Sequence, residues 1–112
     1  MDRWMGAAWL ALAGRHSIVF VGRKAHGPVY YGEARPTDCY PDKGYHGDSY
    51  EVQMLFYAPG SLIQASNRGV PNSNPWYRWD SNTPGGSIDR FMYQQCGRDI
   101  GGLAYDPQRN LI

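Results

Sequence analysis

Long apolar runs are missing from this chain of 112 residues. Nothing approaches the roughly 20 consecutive apolar residues that carry a helix across a bilayer, so no membrane-spanning helix is expected. An excess of one charge is missing too: eleven Lys and Arg stand against ten Asp and Glu, a net +1. Without a basic stripe to offset phosphates, a nucleic-acid footprint is excluded, as is adhesion to an anionic membrane surface. Cysteine is scarce. Cys39 and Cys96 are the only two, and neither has a second within metal-ligand spacing, which excludes a zinc ribbon or finger. In an oxidising compartment the pair is a candidate disulfide whose loop closure is worth about 4 kcal/mol. Two buried thiols are the equal alternative.

What the chain does have is aromatic side chains and turn formers. Nine Tyr, four Trp and three Phe accompany 14 Gly and 8 Pro. Aromatics fill pleated faces while Gly and Pro supply turn dihedrals, so the mixture predicts short strands joined by turns. An all-β domain with one short helix and antiparallel meander sheets is the expected fold class.

Along the chain, Gly6–Ala13 and Ser17–Gly22 are apolar runs split by a short glycine-containing turn, the signature of a hairpin. The first run, with Ala11-Leu12-Ala13 at its end, has the outline of a signal peptide. Yet Asp2 cancels Arg3, and a second apolar segment follows at once, so a first strand is the preferred reading. Both runs are apolar at nearly every position, which predicts strands covered on both faces. Val29–Gly32 reads as a third strand opened by Gly27-Pro28, and Glu33–Ser49 as a long polar loop. Tyr50–Tyr57 is the clearest strand. Leu62–Arg68 predicts about two helical turns, with Ser61 as N-cap and Gly69 as the left-handed stop. Trp76–Trp79 reads as a short strand and Asn82–Gly86 as a turn, with some strand around Phe91–Tyr93. Gly102–Tyr105 reads as a strand, Asp106–Asn110 as a turn, and Leu111-Ile112 as the opening of a return strand. Two residues cannot complete a ladder, so the natural chain is expected to continue.

The string Gly101-Gly102-Leu103-Ala104-Tyr105-Asp106-Pro107-Gln108-Arg109-Asn110-Leu111-Ile112 resembles a blade segment of β-propeller proteins, in which a strand ending Ala-Tyr-Asp runs into a turn and a second strand. Ala7-Ala8-Trp9-Leu10 through Ile18-Val19-Phe20-Val21-Gly22 is similar to another such hairpin. Lys43-Gly44-Tyr45-His46, then Leu55-Phe56-Tyr57-Ala58-Pro59 and the short helix, look like the C-terminal region of uncharacterised, mostly exported bacterial propeller-like proteins. In that family the strand before the helix usually ends Tyr-Asp-Pro; Ala58 replaces the Asp here and weakens the cap. The resemblance implies a partial propeller over residues 1–112, about two blades, and export of the full-length protein to the periplasm or exterior. It implies no particular activity, because propellers host many functions. No internal repeat of about 40 to 50 residues is visible.

Two stretches carry candidate chemistry. Lys43-Gly44-Tyr45-His46-Gly47-Asp48-Ser49-Tyr50 gathers a cation, an imidazole, a carboxylate and two phenols, with His46 and Asp48 as a candidate acid/base or ligand-binding pair. Turn chemistry alone accounts for such a loop more simply. Trp76-Tyr77-Arg78-Trp79 offers Trp76 and Trp79 for stacking on a sugar ring or a cation, against the simpler reading of core packing. The candidate ligand-binding set is therefore Lys43, Tyr45, His46, Asp48, Trp76 and Trp79. Asp38, Asp42 and Asp48 fail the calcium-loop pattern, and Gly85-Gly86-Ser87 lacks the Lys and helix of a phosphate loop. Neither a metal nor a cofactor is expected. Glu33, Asp38, Asp42, Asp48 and Glu51 fall in loops or at strand edges, so their spacing defines no catalytic pair. The sequence points to a binding or interaction module for a polar ligand or a protein partner. The alternative is a propeller-type hydrolase or isomerase acting on a polar substrate such as a sugar.

Overall fold

The computed structural model describes residues 2–32, 44–69, 73–93 and 98–112, apart from the side chains of Tyr30, His46 and Asp48. Cys39, Cys96 and Lys43 lie outside the described residues, and so does the candidate disulfide. Among the described residues the fold is all-β with antiparallel pairing and one α-helix. Strands β1 (Arg3–Leu12), β2 (Arg15–Gly32), β3 (Gly44–Tyr57) and β4 (Tyr77–Trp79) form a single sheet in chain order. The helix α1 (Pro59–Asn67) links β3 to β4, and a 3₁₀ turn spans Ile88–Phe91.

The expected hairpin is present, with a two-residue turn at Ala13 and Gly14 in place of the three residues 14–16 between the two apolar runs. Leu12 pairs with Arg15, leaving Ala13 and Gly14 at φ 49° and 77° as the two central residues. Positive φ at both positions matches the twist of the flanking strands. Strand β2 then runs on much further than its apolar stretch. Val29–Gly32 is not a separate strand; it is the continuation of β2 beyond a register shift between His26 and Val29. Pro28 has no N–H to give to a ladder and Gly27 sits at φ 68°, so the pair is absorbed as an irregularity. The pairing partner of that continuation is Gly44–Gly47, which corrects the reading of Glu33–Ser49 as one loop: residues 44–49 belong to β3.

One sheet face carries the core. Val19, Val21, Val52 and Met54 lie on it and close over Ile88, with Leu10, Phe56, Trp79, Met92, Ile100 and Leu103 packed around them. Arg23 is buried on the same face, where its guanidinium meets Asp99 at 2.9 Å and lies 4.2 Å over the Tyr50 ring. The expectation of strands covered on both faces fails for β1. Every residue of β1 is exposed or half-exposed, including Trp4, Met5, Trp9 and Leu12. Among the described residues, nothing buries the outer side of this edge strand.

Three local expectations also change. The helix begins two residues before Ser61, with Ala58 as N-cap and Pro59 at the first helical position, where its fixed φ is already helical. Gly69 is the left-handed stop, at φ 61°. Phe91–Tyr93 forms no strand, because Ser87 caps the 3₁₀ turn through its Oγ and the Asp89 N–H. Gly102–Tyr105 is extended but unpaired. Its backbone crosses the face of β1 at Gly6, where a Cβ would stand 2.6 Å from Leu103 N, and the Tyr105 hydroxyl donates to Ala11 O at 3.1 Å. The turn after it is present, closed by the Asp106–Leu111 bridge.

Candidate functional site

The predicted ligand-binding residues do not converge. Tyr45 sits near the far end of the β2–β3 ribbon, edge-to-face with Tyr31 at 5.0 Å. His46 and Asp48 occupy β3, opposite Tyr30 and beside Gly47, and their side chains are among those not described. Trp76 is 62 % exposed beside Phe56 and Tyr77, with ring centroids 5.9 Å away in each case. Trp79 points the other way. It packs on the core, meets Phe91 at 5.4 Å and donates its indole N–H to Gly86 O at 2.8 Å. Tyr45 and Phe56 lie eleven residues apart on one strand, about 35 Å at the usual rise, so one small ligand cannot touch both ends.

A different set of residues does converge, on the sheet face opposite the core. Glu51 and Gln53 alternate with the core residues Val52 and Met54, so both turn to this second face. They are nevertheless buried, at 7 % and 2 % exposure. A buried carboxylate must be satisfied, and Glu51 is: Oε2 accepts from His26 Nε2 at 2.7 Å and from Gln53 Nε2 at 2.9 Å, and Oε1 accepts from Asn82 Nδ2 at 3.2 Å.

Each donor is placed by its own element. His26 stands at the end of the regular β2 pairing, just before the Gly27-Pro28 irregularity. Asn82 is held by a turn built on Asp80, whose Oδ1 accepts the Asn82 N–H at 2.9 Å and the Thr83 hydroxyl at 3.2 Å. Asp80 is itself anchored by Arg78. The floor of the site is therefore buried, while its rim is open: Asn82 is exposed and the His26 side chain is 46 % exposed.

Trp4 completes the rim. In the register, Gly22 has Trp4 as its neighbour on one side and Gln53 on the other. Gly22 has no side chain to stand between them, and the indole fills the space above it: a Cβ on Gly22 would lie 2.8 Å from Trp4 Cε3. Trp4, 39 % exposed, thus stands over Gly22 on the same rung of the sheet as Gln53. Beside it, Lys24 bonds Asp2 at 3.2 Å and the Ala25 N–H bonds the other Asp2 oxygen at 2.9 Å.

Because an ionised carboxylate only accepts hydrogen bonds, the donors around Glu51 are fixed: the Gln53 and Asn82 amide nitrogens and the His26 Nε2–H face inward. Their other atoms, Gln53 Oε1, Asn82 Oδ1 and, in the neutral ring, His26 Nδ1, are acceptors. The site therefore presents acceptors beside an aromatic face. Alternation in Glu51-Val52-Gln53-Met54 signals the floor in sequence, whereas Trp4, His26 and Asn82 are separated along the chain and give no local sign. Among the described residues no group of three His, Cys, Asp or Glu is arranged to hold a metal. No described helix is long and apolar enough to cross a membrane. Comparison with protein-family models, with curated proteins and with solved structures finds no match to this chain.

Proposed function

We propose that this chain is a binding module for a small polyhydroxylated ligand, a sugar, seated on the Trp4 indole and the polar floor of Glu51 and Gln53. The observation that carries the reading is the indole lying over Gly22 beside a buried, hydrogen-bonded carboxylate network. A sugar has an apolar ring face and outward hydroxyl donors, which is the complement of an aromatic face flanked by acceptors. Such a surface needs no rearrangement to bind, since its members lie on strands and on a hydrogen-bonded turn.

The propeller architecture belongs to the same proposal. A four-stranded antiparallel sheet in chain order is the unit from which propellers are assembled, and loops and strand ends of such units carry their ligands. An enzyme acting on the same ligand is the second reading, favoured by the His26–Glu51 pair, in which a buried carboxylate orients a half-exposed imidazole. Tryptophan fluorescence titration with glucose, galactose and mannose oligomers tests the binding reading. Saturable quenching is expected, weakened about tenfold or more by Trp4→Ala and unchanged by Trp76→Ala. Equal affinity in the wild type and Trp4→Ala rejects the site. Release of reducing ends that disappears in His26→Ala decides for the enzyme.

A further inference from the structure

We infer that the ligand of this face is an amino sugar, whose ammonium is recognised by Glu51; the inference rests on the sugar-binding reading above. The reason is a charge left without a permanent counterpart. Among the described carboxylates, Asp2 pairs with Lys24, Asp80 with Arg78, Asp89 with Arg98, Asp99 with Arg23 and Asp106 with Arg109. Among the described residues Glu51 has no such partner. Its neighbours are two neutral amides and an imidazole, which is charged only when protonated.

Lys24 is the cross-strand partner of Glu51, yet its ammonium turns to Asp2. Arg78 turns to Asp80. Among the described residues the buried carboxylate is therefore held by two amides and an imidazole with no permanent cation beside it, in surroundings where a cation brought by the ligand is worth more than in water.

The lone pairs show where that cation goes. Glu51 Oε2 accepts two bonds, from His26 and Gln53, whereas Oε1 accepts one, from Asn82. One acceptor position on Oε1 remains, on the side of the exposed Asn82, with Asn82 Oδ1 and His26 Nδ1 able to take the other ammonium hydrogens. The ring of the same sugar then lies toward Trp4, on the far side of Gln53. A neutral hexose satisfies the stacking half of this site and leaves the charge unmatched. The structure assigns to Glu51 the choice between the two.

The test is calorimetric titration of the full chain, at neutral pH, with glucosamine, N-acetylglucosamine and glucose trimers of the same linkage. The glucosamine trimer is expected to bind about tenfold more tightly than the other two. Two variants should abolish that preference, bringing the glucosamine trimer's affinity down to that of the glucose trimer measured in the same variant. Glu51→Gln keeps the shape and removes the charge. Asn82→Lys, at an exposed position, supplies a permanent cation beside Oε1 and secures the result if Glu51→Gln does not fold. Equal binding of all three trimers by the wild type overturns the amino-sugar inference and leaves the sugar-binding reading standing. Binding of none rejects both. A glucosamine preference that persists in Asn82→Lys overturns the role given to Glu51.

Discussion

Gly22 is where the two faces of the molecule meet in a single residue. On the sheet, a Cβ at this position would collide with the Arg3 carbonyl oxygen and stand 2.8 Å from Trp4 Cα. Backbone cannot yield as a flexible side chain can, so Gly22→Ala is expected to cost about 2–3 kcal/mol, in the range of overpacked cores. A lower urea midpoint with an unchanged slope checks this. The same substitution pushes the indole off the site and weakens any ligand that depends on it. Asp2, next to that indole, governs a pH response. Partial burial works to raise its pKa, but the Ala25 N–H, the Lys24 ammonium and the chain's amino terminus outweigh this and hold it below the ordinary carboxylate value. The folded pKa is thus below the unfolded one. Its contribution is complete above the ordinary carboxylate range and is lost as pH falls through the folded value. Asp2→Asn should therefore lower stability near neutrality and flatten its acid dependence, as read from melting temperatures across an acid pH series; a dependence identical to wild type would refute the assignment.

At the scale of elements, α1 is the least secured piece. It contains no buried residue, and its N-cap Ala58 makes no side-chain capping bond even though its φ and ψ, −71° and 129°, are those of a cap. An N-cap acceptor satisfies an orphan N–H and adds favourable charge at the helix start. Ala58→Asp is therefore expected to stabilise the protein by about 1 kcal/mol, a rise in melting temperature of roughly 4–8 °C. No rise would mean that the helix start is not formed in solution. The β2–β3 ribbon is the opposite case. Its length was hidden in sequence by Gly44, Gly47, Gly27 and Pro28, all ordinary turn signals. Pairing overrides them: Gly47 fits a site where a Cβ would lie 2.8 Å from Ala25 Cβ, and its N–H donates to the Tyr50 hydroxyl at 2.8 Å.

For the whole molecule the deciding quantity is extension. The radius of gyration is 16.0 Å, against about 13 Å for a compact domain of this length, and the longest dimension is 50 Å. Edge β1 carries Trp4, Met5, Trp9 and Leu12 in exposed positions, and exposed, apolar edges recruit further strands. Concentration-dependent self-association is the expected outcome. Ala7→Lys, on an exposed position of β1, should suppress it in sedimentation velocity. A wild-type protein that stays monomeric across the concentration range would show that the edge is inert.

Composition and alternation determined a good deal without coordinates: the β class, a hairpin turning at Gly14, the core strand Tyr50–Tyr57 and the stop at Gly69. These are local properties, set by φ preference and by the period-two pattern of adjacent residues. The union of Trp4, His26, Glu51, Gln53 and Asn82 was decided only by tertiary structure. Those residues span three strands and a turn, and what joins them is cross-strand register together with the missing side chain of Gly22. Register is a relation between distant segments, and no short stretch of sequence contains it.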